Sequence, residues 1–314
     1  MLNAMLSSSK AATRRMPPIR KPPIRKPRIR VLAPRGEDPG KRATVEAAHR
    51  LNRSSGLLAL SVLLDSANEH YRGGFHNKAM YTPLITSTLS LLASTHGLSD
   101  KSPRAHRLRH ATFALAGATG LVGTGFHFYN ALKKPGGLSW QNMFYSGPIG
   151  APAAIGLSGL MGLLAERVRD TPAHRDPTLL GMSAGRVVGL ASAAGLLGTT
   201  GEAGLLHFRG AFQNPFMYLP VSLPPVAAAL MANAALGPSR HPRRFTRFWV
   251  RATAVMGLAG AGFHIYGVSR AMGGWRNWRQ NMVDGPPIPA PPSFTGLAFA
   301  ALAALGLLRD HPDD

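Results

Sequence analysis

Residues 70–83 read HYRGGFHNKAMYTP, and residues 207–220 repeat this stretch as HFRGAFQNPFMYLP. Eight of the fourteen positions are identical, and the second copy follows the first at an offset of 137 residues. The same offset relates GFHFY at 125–129 to GFHIY at 262–266. Because two separate motifs share one offset, the sequence predicts an internal duplication.

Eight stretches with few or no charges contain or flank these motifs. Each has about the 20 residues that a helix needs to cross the apolar core of a bilayer. They lie near 54–70, 80–98, 110–130, 145–165, 186–208, 215–237, 252–269 and 286–308. The sequence therefore predicts an all-α polytopic membrane protein with about eight transmembrane helices, built as a tandem duplication of a four-helix unit.

Composition agrees with a membrane location and excludes thiol chemistry. Charged residues make up only 16% of the 314 residues, whereas soluble domains have roughly a quarter. The mean hydropathy of −0.01 is low for a membrane protein, because a basic tail dilutes it and Gly, Ala, Ser and Thr often stand in place of Leu. The absence of cysteine excludes disulfides, thiolate metal sites and a cysteine nucleophile.

Four regions follow from these patterns. Residues 1–50 contain PPIRKPPIRKPRIR at 17–30, and a basic, proline-rich run of this kind predicts a disordered cytoplasmic tail beside anionic membrane lipid. A disordered tail without a role is the alternative. Residues 51–170 are the first four-helix repeat, 171–185 a cytoplasmic linker and 186–310 the second repeat. The first 53 residues carry 14 of the 36 cations, so the net charge of +22 does not indicate a nucleic-acid partner.

The remaining cations predict the orientation in the membrane. Alternate loops are rich in arginine and lysine, and together with the tail they place 28 cations on one side and 8 on the other. The positive-inside rule then puts both termini in the cytoplasm of a bacterial-type inner (plasma) membrane. The loops at 70–80, 131–144, 208–215 and 268–285 face outward.

Histidines at the outer ends of the odd-numbered segments are the candidate cofactor ligands: His70, His127, His207 and His264. Glycines precede two of them by seven and four residues, namely Gly120 and Gly123 before His127, and Gly257 and Gly260 before His264. Positions with this spacing share one helix face. We predict that each glycine groove leaves room for a flat ring, as haem or quinone needs, and that His127 and His264 meet across the two-fold axis. Close helix packing at small residues is the alternative.

Three acids within the predicted spans are candidates for a proton or ion path, or for contact with a polar headgroup. They are Asp65 and Glu69 in the first segment, and Glu202 at the position equivalent to Asp65. Acids are costly in a bilayer, which indicates function. Pairing with Arg72, Arg209 or a histidine near the interface is the structural alternative. No metal site other than a haem iron is expected.

Three functions are compatible with these features. The first is a membrane subunit that binds haem b or quinone and passes electrons from an extracytoplasmic dehydrogenase, which is its partner protein. The second is a transporter or channel for a small solute or ion. The third is a non-catalytic assembly protein. No catalytic residue is assigned, and whether the chain is an enzyme stays open; a redox subunit is favoured because the histidines lie near one face rather than at the bilayer centre.

Overall fold

A computed structural model describes residues 39–172, 175, 177–179, 181–237 and 244–308. Most of the predicted tail lies outside this part of the chain, as do some linker residues and three of the inner cations, Arg240, Arg243 and Arg309. The described residues belong to one compact unit.

The described chain is helical apart from a small β-ribbon. Its ten helices are α1 (Pro39–Arg72), α2 (Thr82–Ser99), α3 (Arg107–Leu132), α4 (Trp140–Tyr145), α5 (Gly150–Asp170), α6 (Ala184–Arg209), α7 (Leu219–Leu236), α8 (Arg244–Arg270), α9 (Trp278–Asp284) and α10 (Pro292–Leu307). Two-residue strands β1 (Thr178–Leu179) and β2 (Met182–Ser183) pair antiparallel between α5 and α6. Short 3-10 turns precede α2, α7 and α9.

Each of the eight apolar segments coincides with one of the eight longer helices, and α4 and α9 lie in the loops between them. Within the described residues, one helix is long and apolar enough to cross a membrane by length and composition. It is α7 together with the turn that precedes it, Pro215–Leu236. Pro292–Leu307 is apolar but shorter. Length and composition therefore support an all-helical fold, and they do not support eight membrane spans.

The predicted boundary of the tail is wrong by a turn or more of helix. Residues 39–50 belong to α1, although the sequence predicted disorder up to residue 50. Ala47 and Ala48 are buried there. The many charged residues of this region suggested disorder, but one face of the helix packs against the rest of the molecule.

The core is built around α1, α5, α6 and α10. α1 packs along both α5 and α10, so helices from the two predicted repeats interlock. α10 is the most enclosed helix, with Phe294, Leu297 and Leu305 in the main hydrophobic cluster. A proline occupies the first or second position of α2, α7 and α10, where its missing N–H costs no helical hydrogen bond.

The loops of the two copies share detailed geometry. Phe75 stacks on Tyr81 and Phe212 stacks on Tyr218, each with ring centroids 4.6 Å apart. Both phenylalanines have positive φ angles, 46° and 45°, which non-glycine residues rarely adopt. The same strained turn at both positions extends the sequence repeat to the level of backbone conformation.

Candidate functional site

A cleft of about 2380 Å³ separates part of the first repeat from the second. α3 and α5 line one side, and α6 and α8 line the other. The lining follows α8 from Phe248 to Arg270, which corresponds to roughly 33 Å of helix. The equivalent side of the molecule is closed, because α1 packs along α10 more extensively than α5 packs along α6.

Polar side chains gather at one end of the cleft, where α1, α6 and α8 finish. This polar end comprises Asp65, Glu69, Glu202, His207 and His264. The rest of the cleft toward Phe248 is lined mainly by glycine, alanine and larger apolar residues. The cleft therefore offers a long, largely apolar channel with a cluster of polar side chains at one end and a single charged residue, Arg251, near the other.

Glu202 links the two repeats at the polar end. Its Oε1 accepts a hydrogen bond of 3.1 Å from the backbone N–H of Gly150, the first residue of α5. A carboxylate is favourable at a helix N-terminus. A Cβ atom at residue 150 would overlap this carboxylate, so the contact requires glycine there.

The other two acids of the polar end differ in their pairing. Glu69 accepts a hydrogen bond of 3.0 Å from Arg72 in an ion pair, as the structural alternative expected. Asp65 forms no hydrogen bond or ion pair with the described residues. It lies close enough to Glu69 and Glu202 to interact with them electrostatically, so the acids from both copies come together.

All four histidines hold a loop carbonyl. The Nδ1 atoms of His70, His207 and His264 lie 2.6, 2.8 and 2.7 Å from the carbonyl oxygens of Met80, Met217 and Pro287. His127 makes the same kind of bond to the carbonyl of Pro148. A carbonyl can only accept, so Nδ1 donates in these bonds, and Nε2 is an acceptor when the ring is neutral.

The histidines associate within each copy. His127 interacts electrostatically with His70, and His264 does so with His207. His207 and His264 line the cleft, whereas His127 packs against Gly147 in the loop before α5. The structure thus gives no support to the predicted meeting of His127 and His264 across the axis.

The two glycine grooves are filled by neighbouring helices. A Cβ at Gly120 would overlap the backbone of Gly156 in α5, and one at Gly257 would overlap Thr295 in α10. Gly123 faces the side chain of Pro152 in the same way. The fourth glycine, Gly260, faces Pro291. Close helix packing accounts for these contacts, and of the four glycines Gly120 and Gly260 also border the cleft.

A buried ion network lies at the opposite end of the first repeat, where the sequence indicated only loop charges. Arg109 binds Glu166 through two hydrogen bonds of 2.8 and 3.0 Å and Asp100 through one of 2.7 Å. The side chains of Arg109 and Glu166 are 2% and 0% exposed. This network ties α3 to α5 and to the end of α2.

Arg169 completes this network by binding backbone. It donates hydrogen bonds of 2.7 to 2.9 Å to the carbonyl oxygens of Gly97, Asp100 and Ser102, which satisfies the end of α2. Burial opposes ionisation of Asp100, but hydrogen bonds from Arg109 and from the Ser102 amide outweigh burial and hold the pKa of that carboxyl below its usual range.

The second repeat carries none of these charged groups. At the offset of 137 residues, the positions of Asp100 and Arg109 hold Gly237 and Thr246. At the offset of 139 that relates Pro152 in α5 to Pro291 in α10, the positions of Glu166 and Arg169 hold Leu305 and Leu308. A comparison of the two copies could have exposed the network, because charges that appear in one copy alone are not needed by the shared fold.

Within the described residues, no group of three or more histidine, aspartate or glutamate side chains is arranged to hold a metal ion. No family model, no curated protein and no solved structure matches the chain.

Proposed function

We propose that the chain is a multi-pass membrane protein that binds a quinol in the cleft between its repeats. The membrane part of this proposal rests on a duplicated apolar surface. Leu108 and Phe128 on α3 are exposed and do not line the cleft, and the same holds for their equivalents at an offset of 137 residues on α8, Phe245 and Ile265.

The exposure on these helices is large. Val122 is 73% exposed, Leu108 69% and Leu258 59%. Soluble monomers rarely leave continuous apolar surfaces of this kind in water, and such surfaces mark contact with a membrane or a protein. Lipid is favoured because the described chain includes a helix long and apolar enough to cross a membrane, Pro215–Leu236. The eight-helix topology with cytoplasmic termini and a plasma-membrane location belong to this proposal.

Cysteine labelling tests the topology. Single cysteines at Lys78 and Lys134, in the proposed outer loops, should react with a membrane-impermeant maleimide in intact cells, because the positive-inside rule places these loops outside. A cysteine at Arg104 should react only after the membrane is opened. Labelling of Arg104→Cys in intact cells, with none at the other two positions, would reverse the orientation.

The observation that carries the ligand assignment is the pair of cleft histidines. His207 and His264 each donate Nδ1–H to a carbonyl, which leaves Nε2 of a neutral ring as an acceptor in the cleft that Glu202 also lines. A quinol presents hydroxyl donors to such acceptors and has an apolar tail that fits the remaining cleft. Haem is less favoured, because the glycine grooves intended for it are filled.

The duplication supplies a matched control for the binding test. His264→Ala and His127→Ala each remove a ring that holds a loop carbonyl, but only His264 lines the cleft. In nanodiscs titrated with a short-tailed quinol, His264→Ala should weaken binding roughly three- to tenfold, the equivalent of about one hydrogen bond. His127→Ala should bind as the parent does.

The oxidised molecule gives a second contrast. The corresponding quinone offers carbonyl acceptors in place of hydroxyl donors, so it should bind more weakly than the quinol. Failure of the quinol to bind, or equal losses in His264→Ala and His127→Ala, would count against the proposal and favour the transporter or assembly alternatives.

A further inference from the structure

We infer that the ligand carries a long isoprenoid tail, which lies in the cleft along α8 from the polar end toward Phe248. This inference rests on the proposed function and specifies the class of quinol. The first support is the length of the cleft. From His264 back to Phe248 the lining covers 16 residues of α8, or roughly 24 Å of helix, which far exceeds the size of a quinol ring.

The second support is the distribution of polarity. The acids and the two histidines lie at the polar end, and the walls beyond them include Leu121, Leu197, Val255 and Ala259. Toward Phe248 the one charged lining residue is Arg251, whereas acids and histidines that can bind a quinol headgroup lie together at the other end. An occupant with a polar head and an apolar chain matches this order, whereas a small solute would leave most of the apolar wall uncovered.

Glycines without a packing role provide the third support. A Cβ added at Gly117, Gly198 or Gly201 would meet no atom within 4 Å, and all three residues line the cleft. Glycine weakens a helix relative to alanine, so helix formation does not explain these residues. They widen the channel at the positions where a tail would pass.

A larger side chain at Gly198 should block the channel without a clash at its Cβ atom. In Gly198→Leu the new side chain enters the cleft from α6. Gly262→Leu is the matched control, because a Cβ at Gly262 also meets no atom within 4 Å and this residue does not line the cleft. Thermal unfolding should show both variants as stable as the parent, within a few degrees.

The experiment compares quinols that share a headgroup and carry zero, two or four isoprene units. Affinities are measured in nanodiscs and expressed as moles of quinol per mole of lipid. The partitioning of each quinol into the lipid is then the same for every variant, and the differences between variants report binding to the protein. For the parent and Gly262→Leu, affinity should rise at least tenfold from the tail-less to the four-unit quinol. For Gly198→Leu it should not change with tail length.

The outcomes separate this inference from the proposed function. If Gly198→Leu retains the tail dependence of the parent, the tail does not lie in the cleft, and the inference is wrong. If the tail-less quinol binds in a His264-dependent way but no protein shows tail dependence, the inference is also wrong while the proposed function stands. If the tail-less quinol shows no dependence on His264, the proposed function itself fails.

Discussion

Glu166→Ala should lower the free energy of unfolding by about 3–5 kcal/mol, because it leaves the buried Arg109 without its main partner. Arg109 is 2% exposed and gives Glu166 two hydrogen bonds. Glu166 also accepts a 2.7 Å bond from the backbone amide of His106, which the variant would leave unmet. Chemical denaturation in detergent measures the loss.

Two further variants distinguish the ion pair from a general effect of mutation in α5. Arg167 is the exposed neighbour of Glu166, and Arg167→Ala should change stability by less than about 0.5 kcal/mol. Joint replacement of Arg109 and Glu166 by leucine removes both buried charges and should recover part of the loss, since apolar pairs often replace buried ion pairs at little cost. A cost below about 1 kcal/mol for Glu166→Ala would show that the pair is solvated.

The network was not predictable from the pattern that located the helices. Charges just beyond an apolar segment are the usual sign of a membrane boundary, so the sequence alone predicts that Arg109 and Arg169 are loop cations. Their burial depends on the meeting of α2, α3 and α5, which no local pattern encodes. In contrast, the helix positions followed from segment length, and the loop geometry followed from identical residues in the two copies.

The sequence duplication did not predict the cleft. Two copies of one unit predict equivalent interfaces, yet α1 packs closely along α10 while α5 and α6 leave the cleft open. The residues that contact each other at the two interfaces differ between the copies. Ser61 donates a hydrogen bond to the carbonyl of Pro289 near the start of α10, whereas the related contact at α5 is made by Glu202 and Gly150.

The glycines near His127 were ambiguous because a ligand groove and a close helix crossing both require small residues. Residue spacing places Gly120 on the face that leads to His127, but it does not say what covers that face. The structure covers it with α5, and α10 covers the equivalent face at Gly257. By the same measure Gly117, one turn before Gly120, remains open.

Gly120→Ala should therefore destabilise the protein by about 2–3 kcal/mol, the range for overpacking a tight contact. The new methyl group would overlap the backbone N and Cα atoms of Gly156 and lie 2.9 Å from the carbonyl oxygen of Pro152. Backbone atoms cannot rotate away as side chains can, so α3 and α5 must separate. Gly117→Ala is the control; it meets open space and should stabilise α3 by up to about 1 kcal/mol. If unfolding measurements instead found both variants equally stable, the helix crossing at Gly120 would be loose enough to admit a ligand. The hypothesis that a flat ring binds over Gly120 would then be supported.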